Sequence, residues 1–316
     1  MGLTAAGTGT TAAPGAPDTR HARVPLPTGV TLHVAEAGPA TGDLPLVLLH
    51  GWPEFWATWE PVMARLSARH HRLIAPDLRG FGESDRHPDP TDPPGADAHA
   101  DDIAALLDAL GVDRAGIVAH DVGAYVAQRL AVRHPGKVAG LFFFNCPTHG
   151  VGARWRDPSQ INEIWYQSFH QQPWAASLVG ASRESCRAYI GHFLRHWSHQ
   201  KDAFAPVLER WIDNFLRPGN LQGGFDWYRA SNAGRLATMA GTAPKPPAIA
   251  APTRVLWGRH DPVLRAEWAD CLPDYFSNLV EVGFVEDAGH FVHHEVPDLA
   301  AAEIGRFFRE LPAAAG

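Results

Sequence analysis

Apolar residues fall along this chain in two alternating patterns. Short, mostly apolar runs occupy positions 46–49, 73–75, 117–119, 138–144, 254–257 and 280–285. Runs this short, bounded by turn residues, predict strands buried on both faces. Between them, apolar positions recur at helical spacing over 55–69, 98–110, 124–132, 265–275 and 298–311. The second of these carries Ile103, Leu106, Leu107 and Leu110 on one stripe, as expected of an amphipathic helix. Two further strands, 22–26 and 31–35, flank a Pro27-Thr28-Gly29 turn. Strands alternating with helices predict a mostly parallel sheet with helices on both faces. From Pro147 to about Pro247 the texture changes to Trp, Phe, His and Arg at helical spacing with no clear strand, which predicts an inserted helical cap. The expected organisation is a disordered tail (1–20), an α/β core in two pieces (21–147 and 248–316) and a cap (148–247).

One junction stands out. The run Ile117-Val118-Ala119 stops at His120-Asp121-Val122-Gly123, and a helical pattern begins at once. A strand that becomes a helix with almost no loop must bend sharply and hold the bend residue out of the sheet. This is the layout of a nucleophile elbow, usually Gly-x-Ser-x-Gly, with Asp121 in the place of serine and Ala119 in that of the first glycine. Gly123 relieves crowding where helix meets strand. Serine needs a base before it attacks; an aspartate is ionised at neutral pH, with a reference pKa of about 3.9, and attacks carbon directly to form an ester. The plainer alternative is a carboxylate that caps the next helix.

Other residues past strand ends fit the chemical reading. His290, in Gly289-His290-Phe291 after the last strand, is the candidate general base. Asp261, in His260-Asp261-Pro262, is the candidate that orients and stabilises its imidazole; a turn aspartate is the alternative, and the rival position after Phe144 holds the uncharged Asn145. The turn His50-Gly51-Trp52-Pro53 places the Trp52 amide, with that of Val122, as candidate oxyanion-hole donors. Three of the five tyrosines, Tyr166, Tyr189 and Tyr228, lie in the expected cap. A neutral phenol suits an epoxide oxygen that gains charge as its carbon is attacked; aromatic packing is the other reading. His192 and His196 have a metal-compatible spacing, but Phe193 follows the first and no third ligand stands out, so packing or surface roles are expected.

Composition narrows the partners. A net charge of −7 gives no electrostatic case for nucleic acid. Three cysteines without metal-type spacing fit a reducing compartment. No apolar run approaches the roughly 20 residues of a membrane helix. The Ala/Gly/Thr/Pro-rich start lacks the basic and apolar blocks of a signal peptide, so cytoplasm is the default location.

With these residues in hand, the chain resembles an epoxide hydrolase of the α/β-hydrolase family from about Val24 to Leu311. Asp121, Asp261 and His290 follow that fold's order of nucleophile, acid and histidine. His50-Gly51-Trp52-Pro53 resembles the family's oxyanion motif, Asp77-Leu78-Arg79-Gly80-Phe81-Gly82-Glu83-Ser84 the loop after its fourth strand, and His120-Asp121-Val122-Gly123 its nucleophile motif. Tyr166 and Tyr228 sit in contexts similar to the two cap tyrosines that hold the epoxide oxygen in that family; related dehalogenases share the other motifs but do not need this pair. Val122 departs from the family's frequent Trp, and removes a ring that haloalkane dehalogenases use to hold halide. The resemblance implies conversion of a small apolar epoxide and water to a diol through an aspartyl ester, with no cofactor and no metal. Alternatives are a dehalogenase using the same aspartate and a non-catalytic ligand-binding protein on this scaffold; a homodimer is left open.

Overall fold

A computed structural model describes residues 2–3, 18–40, 44–67, 71–87 and 92–311. Nine strands form one sheet: β1 (Gly2–Leu3), β2 (Arg20–Pro25), β3 (Thr31–Ala37), β4 (Leu46–Leu49), β5 (Leu73–Pro76), β6 (Ala115–His120), β7 (Val138–Phe144), β8 (Thr253–Gly258) and β9 (Leu279–Val285). Their order is β1-β9-β8-β7-β6-β4-β5-β3-β2. Pairing is parallel from β1 to β5 and antiparallel only where β3 meets β5 and β2. The apolar runs form strands because β4 to β8 lie in the middle of the sheet; every residue of β4, β5, β6 and β8 is buried.

Right-handed crossovers set the layers. The chain moves one way from β4 to β5 and the other way from β5 to β6, β7, β8 and β9. Helix α1 (Glu60–Ser67), between β4 and β5, therefore lies on one face, and α2 (Ala96–Ala109) and α3 (Val122–Arg133) lie on the other. The reversal also creates a crevice at the carboxyl ends of β4 and β6, the place where open α/β sheets bind ligands. In-register pairing of Leu49 with Ala119 brings the two loops that follow level with one another.

Between β7 and β8 the described residues form helices and turns and no strand: a 3₁₀ stretch (His149–Arg156), α4 (Pro158–Ile161), α5 (Trp165–Phe169), α6 (Ala175–Val179), α7 (Arg183–Trp197), a 3₁₀ turn (Ala205–Val207), α8 (Leu208–Phe215) and α9 (Asn220–Ala240). α7 starts at Ser182, whose hydroxyl accepts from the Ser185 amide while Ser185 returns a bond to the Ser182 amide, a reciprocal cap that satisfies two orphan donors. After β9 come α10 (Val292–Glu295) and α11 (Pro297–Glu310), the latter packed on α1.

Three local expectations need correction. Gly2–Leu3 is not tail but pairs with Phe284–Val285, because the edge of β9 offers unpaired backbone groups, and Arg20 already belongs to β2; residues 1 and 4–17 lie outside the described part. The helix expected over 265–275 is 3₁₀ (Ala266–Asp274), with Pro273 inside it, a residue that cannot donate the α-helical bond. The helix expected over 55–69 begins as a 3₁₀ turn (Trp56–Trp59) before α1, and 68–70 lie outside the described residues.

The elbow itself depends on Gly123. A Cβ there would run into the carbonyl oxygens of Leu49 and His50, backbone atoms that cannot rotate away. Gly123→Ala is expected to lower folding stability by about 3 kcal/mol, the upper end for overpacking, despite the better helix propensity of alanine; urea midpoints of the two proteins check this.

Candidate active site

Asp121 stands between β6 and α3 with φ 48° and ψ −113°, a conformation that L-residues rarely adopt and that clusters at functional sites. The bend turns its carboxylate towards the loop after β4, where the Trp52 amide donates to Oδ1 at 2.9 Å. That loop is fastened from behind. His50 Nε2 accepts from the Leu78 amide at 3.0 Å, so its Nδ1–H donates to the Gly51 carbonyl at 2.9 Å. The second expected donor, the Val122 amide, is the first of α3 and is not bonded to the carboxylate. A Cβ on Gly51 would press on the Asp121 side chain, so this glycine makes room for the acid.

His290 is fully buried, with Nδ1 2.8 Å from Asp261 Oδ2 and Nε2 3.9 Å from Asp121 Oδ2. Its Nε2 has no hydrogen-bond partner among the described residues. Asp261 is held on all sides. The amides of Val263 and Leu264 donate to Oδ1 at 2.8 and 2.9 Å, and Asn145 Nδ2 and His290 Nδ1 reach Oδ2. The rival for the acid position thus supports it: Asn145 (φ 46°) also accepts from the Gly258 amide, tying β7 to β8. Burial by itself would lower the His290 pKa, but Asp261, then Asp121 and Glu54, reverse this and raise it to about 9.

Two tyrosines from the helices between β7 and β8 close the other side. Tyr166 on α5 lies flat against the Trp52 indole (ring centroids 5.2 Å apart, planes 7° apart), and Tyr228 on α9 meets the same indole edge-on. The two phenols also interact with each other, and Gln167 donates to the Tyr166 hydroxyl at 3.3 Å. Burial, and the Asp121 charge, push both phenol pKa values up, so both are neutral donors at pH 7. Tyr189 does not join them; its hydroxyl pairs with His170 Nε2 at 2.8 Å. Asp121, Val122, Tyr166 and Tyr228 line a cavity of about 480 Å³ together with Tyr125 of α3. A larger open groove of about 810 Å³, around His21, Trp56 and Arg210, contains none of the expected site residues. His192 and His196 stack on each other, and His196 pairs with Glu163 at 2.7 Å.

Behind the elbow lies a buried cluster that the spacing of residues did not disclose. Glu54 accepts from the Gly51 amide (2.9 Å), His120 Nδ1 (2.7 Å), the Thr58 hydroxyl (2.6 Å) and His293 Nε2 (2.9 Å). Burial would raise its pKa, but the two imidazoles hold the carboxyl well below its ordinary range. Burial takes His293 the other way, to about 4, so that it donates as a neutral ring. The ligand atoms of Glu54, His120 and His293 lie within 4.8 Å of one another, yet they are already spent on mutual hydrogen bonds, and the cluster reads as a polar network rather than a metal cage. The available signals were weak ones: a glutamate just after the oxyanion turn, and histidines one residue before Asp121 and three after His290.

A family model described as the alpha/beta hydrolase fold matches residues 45–297. The chain belongs to the α/β-hydrolase fold family. As a member of that family it is 33% identical over 273 residues to the AB hydrolase superfamily protein YfhM of Bacillus subtilis, covering 85% of this chain and 91% of that one. It is 28% identical over 288 residues to Epoxide hydrolase 4 of Homo sapiens (89% and 76% covered). The solved structure of epoxide hydrolase CorEH without ligand superposes with a TM-score of 0.77 at 26% identity, covering 93% of this chain and all of that one. Among the described residues no helix is long and apolar enough to cross a membrane.

The ionic environment of His290 gives a direct test. Removing Asp261 as a charge (Asp261→Asn) should lower its pKa from about 9 more than Asp121→Asn does, since Asp261 also holds the ring by a hydrogen bond; histidine-selective NMR titration reads both. A pKa raised on folding stabilises fully below the unfolded value of about 6.5 and is lost as pH rises through the folded value. The wild-type protein should therefore lose stability between pH 6.5 and 9 more steeply than Asp261→Asn, as measured by urea unfolding across that range.

Proposed function

We propose that this α/β hydrolase is an epoxide hydrolase that opens its substrate through a covalent ester on Asp121. The observation that carries this reading is the placing of two neutral phenols, Tyr166 and Tyr228, and the Asp121 carboxylate in one cavity. The fold alone does not fix the chemistry. An aspartate supplies a nucleophile that needs no base, and the phenols supply donors for an oxygen that leaves carbon without leaving the molecule.

In this reading Asp121 Oδ2 attacks an epoxide carbon, the C–O bond to that carbon breaks, and the ring oxygen takes a proton from the tyrosine pair. Esterifying Asp121 removes a negative charge that helps keep His290 protonated. Its proton then replaces the one the tyrosines gave up, and His290 is left neutral with an open Nε2. It takes a proton from water as the water attacks the ester carbonyl. The Trp52 amide, already on Oδ1, and the Val122 amide at the start of α3 stabilise the oxyanion that forms. Collapse returns Asp121 as a carboxylate, His290 as an imidazolium and a vicinal diol as product. Net, one water adds across one epoxide. The raised pKa of His290 thus suits both halves, stabilising the nucleophile before attack and becoming a base only once the ester exists. The helical segment 148–247 acts as a cap that supplies the phenols and shields the ester from bulk water.

Single turnover in heavy-oxygen water is the test. The label should enter Asp121, located by mass spectrometry of its peptide, and the first diol should be unlabelled. Diol formed with an unlabelled Asp121 rejects covalent attack. Halide release from haloalkanes with no diol from styrene oxide would favour the dehalogenase reading. Tyr166→Phe and Tyr228→Phe should each slow ring opening by roughly 100-fold, within the range for a lost donor, seen as slower ester formation in stopped flow.

A further inference from the structure

Of the charged residues of the cavity wall that the reaction above does not use, Asp97 and Arg129 pair with each other and Arg235 has no such partner among the described residues. Arg235, on α9, lines the cavity. Its Nη2 donates to Asn232 Oδ1 at 2.8 Å, and its Nη1 reaches only the Met239 sulfur at 3.7 Å. Its Nε is buried with no partner. Among the described residues no carboxylate lies within ion-pair distance of it. The other arginine of the cavity wall, Arg129, differs, since it is engaged by Asp97. An arginine cannot shed its charge in a protein, and the half-buried Arg235 guanidinium has given up part of its hydration with no counter-ion in its place. Such a group is expected where a ligand brings the missing charge.

Its position along α9 defines the ligand further. Tyr228, Ser231, Arg235 and Thr238 all line the cavity, a spacing of three, four and three that puts them on one helix face. Arg235 stands two turns beyond Tyr228, about 10 Å along the helix axis. A substrate whose epoxide oxygen rests at Tyr228 therefore extends along this face towards the guanidinium. The anion has to be remote from the ring, because the Asp121 carboxylate would repel one placed next to it.

Resting on the epoxide hydrolase reading, we propose that Arg235 is a specificity-determining residue that seats a carboxylate, and that the substrate class is an extended epoxide with an acid group at its far end. The planar fork of arginine matches a carboxylate in two parallel hydrogen bonds, which fixes the chain end and so presents the ring to Asp121. This replaces the small apolar epoxide of the sequence reading with an amphiphilic one.

The test compares 9,10-epoxydecanoate with its methyl ester, and with glycidate, whose carboxylate adjoins the ring. The wild-type protein should show kcat/KM at least tenfold higher for the acid than for the ester, mostly through KM, and glycidate should be the poorest of the three. In Arg235→Gln the acid-to-ester ratio should fall to about one, and Arg235→Lys should restore part of it. Equal kcat/KM for acid and ester in the wild-type protein overturns the proposal without any variant, as does a ratio that Arg235→Gln leaves unaltered. Should no epoxide, styrene oxide included, be turned over, the reaction reading fails by itself. The anion seat is then judged by binding of decanoate: calorimetry should show it for the wild-type protein and at least tenfold weaker for Arg235→Gln, and equal or absent binding to both rejects it.

Discussion

Three carboxylates lie close together in the loops that follow β4, β6 and β8, Glu54 and Asp261 buried and Asp121 partly exposed, and what sets them apart is the number of donors each one meets. Asp261 and Glu54 each accept four hydrogen bonds. Asp121 accepts one, from the Trp52 amide, among the described residues. The two saturated acids have their oxygens engaged by donors, and Asp121 keeps a free Oδ2, the atom that attacks carbon in the proposed reaction. The strained corner at residue 121 makes this possible, since it lifts the side chain clear of the sheet while leaving a single oxygen within reach of the β4 loop.

The field those anions produce acts on one cation. His290 lies in direct contact with Asp261, with Asp121 and Glu54 further away, and this surplus of negative charge overrides the penalty of burial. In the proposed reaction one of these anions is consumed and the others are not, so the charge on the imidazole would follow the covalent state of Asp121. The polar network behind the elbow has a place in this arrangement. Glu54 ties the oxyanion turn, the end of β6 and α10 into one unit, so that Trp52, Asp121 and His290 are positioned against a common buried anchor.

Much of this was readable from residue order because much of it is local. Strands β4 and β7 have the bounds that their apolar runs gave, and Asp121, Asp261 and His290 stand out in the sequence because each follows a strand. The tyrosines were singled out by chemistry and context, and the structure gathers two of the three at Asp121. What escaped was non-local. Glu54 meets His293 across 239 residues and His120 across 66, and no periodicity encodes such pairings. Asn145 looked like a poor substitute for an acid because its role is to support one. Arg235 sits in a helix with little amphipathic signature, and only the missing counter-ion, a property of three-dimensional packing, sets it apart.

Trp52 offers a last lesson in what a position can tolerate. Its contribution to the nucleophile is a backbone amide, which any residue other than proline would provide. The indole, however, lies flat on Tyr166 and edge-on to Tyr228, Phe193 and Trp197. Exchange at this site is therefore governed by its aromatic neighbours and not by the bond it donates. A smaller side chain at 52 would leave Tyr166 and Tyr228 without the surface that both rings pack on, so these three positions have to be redesigned together.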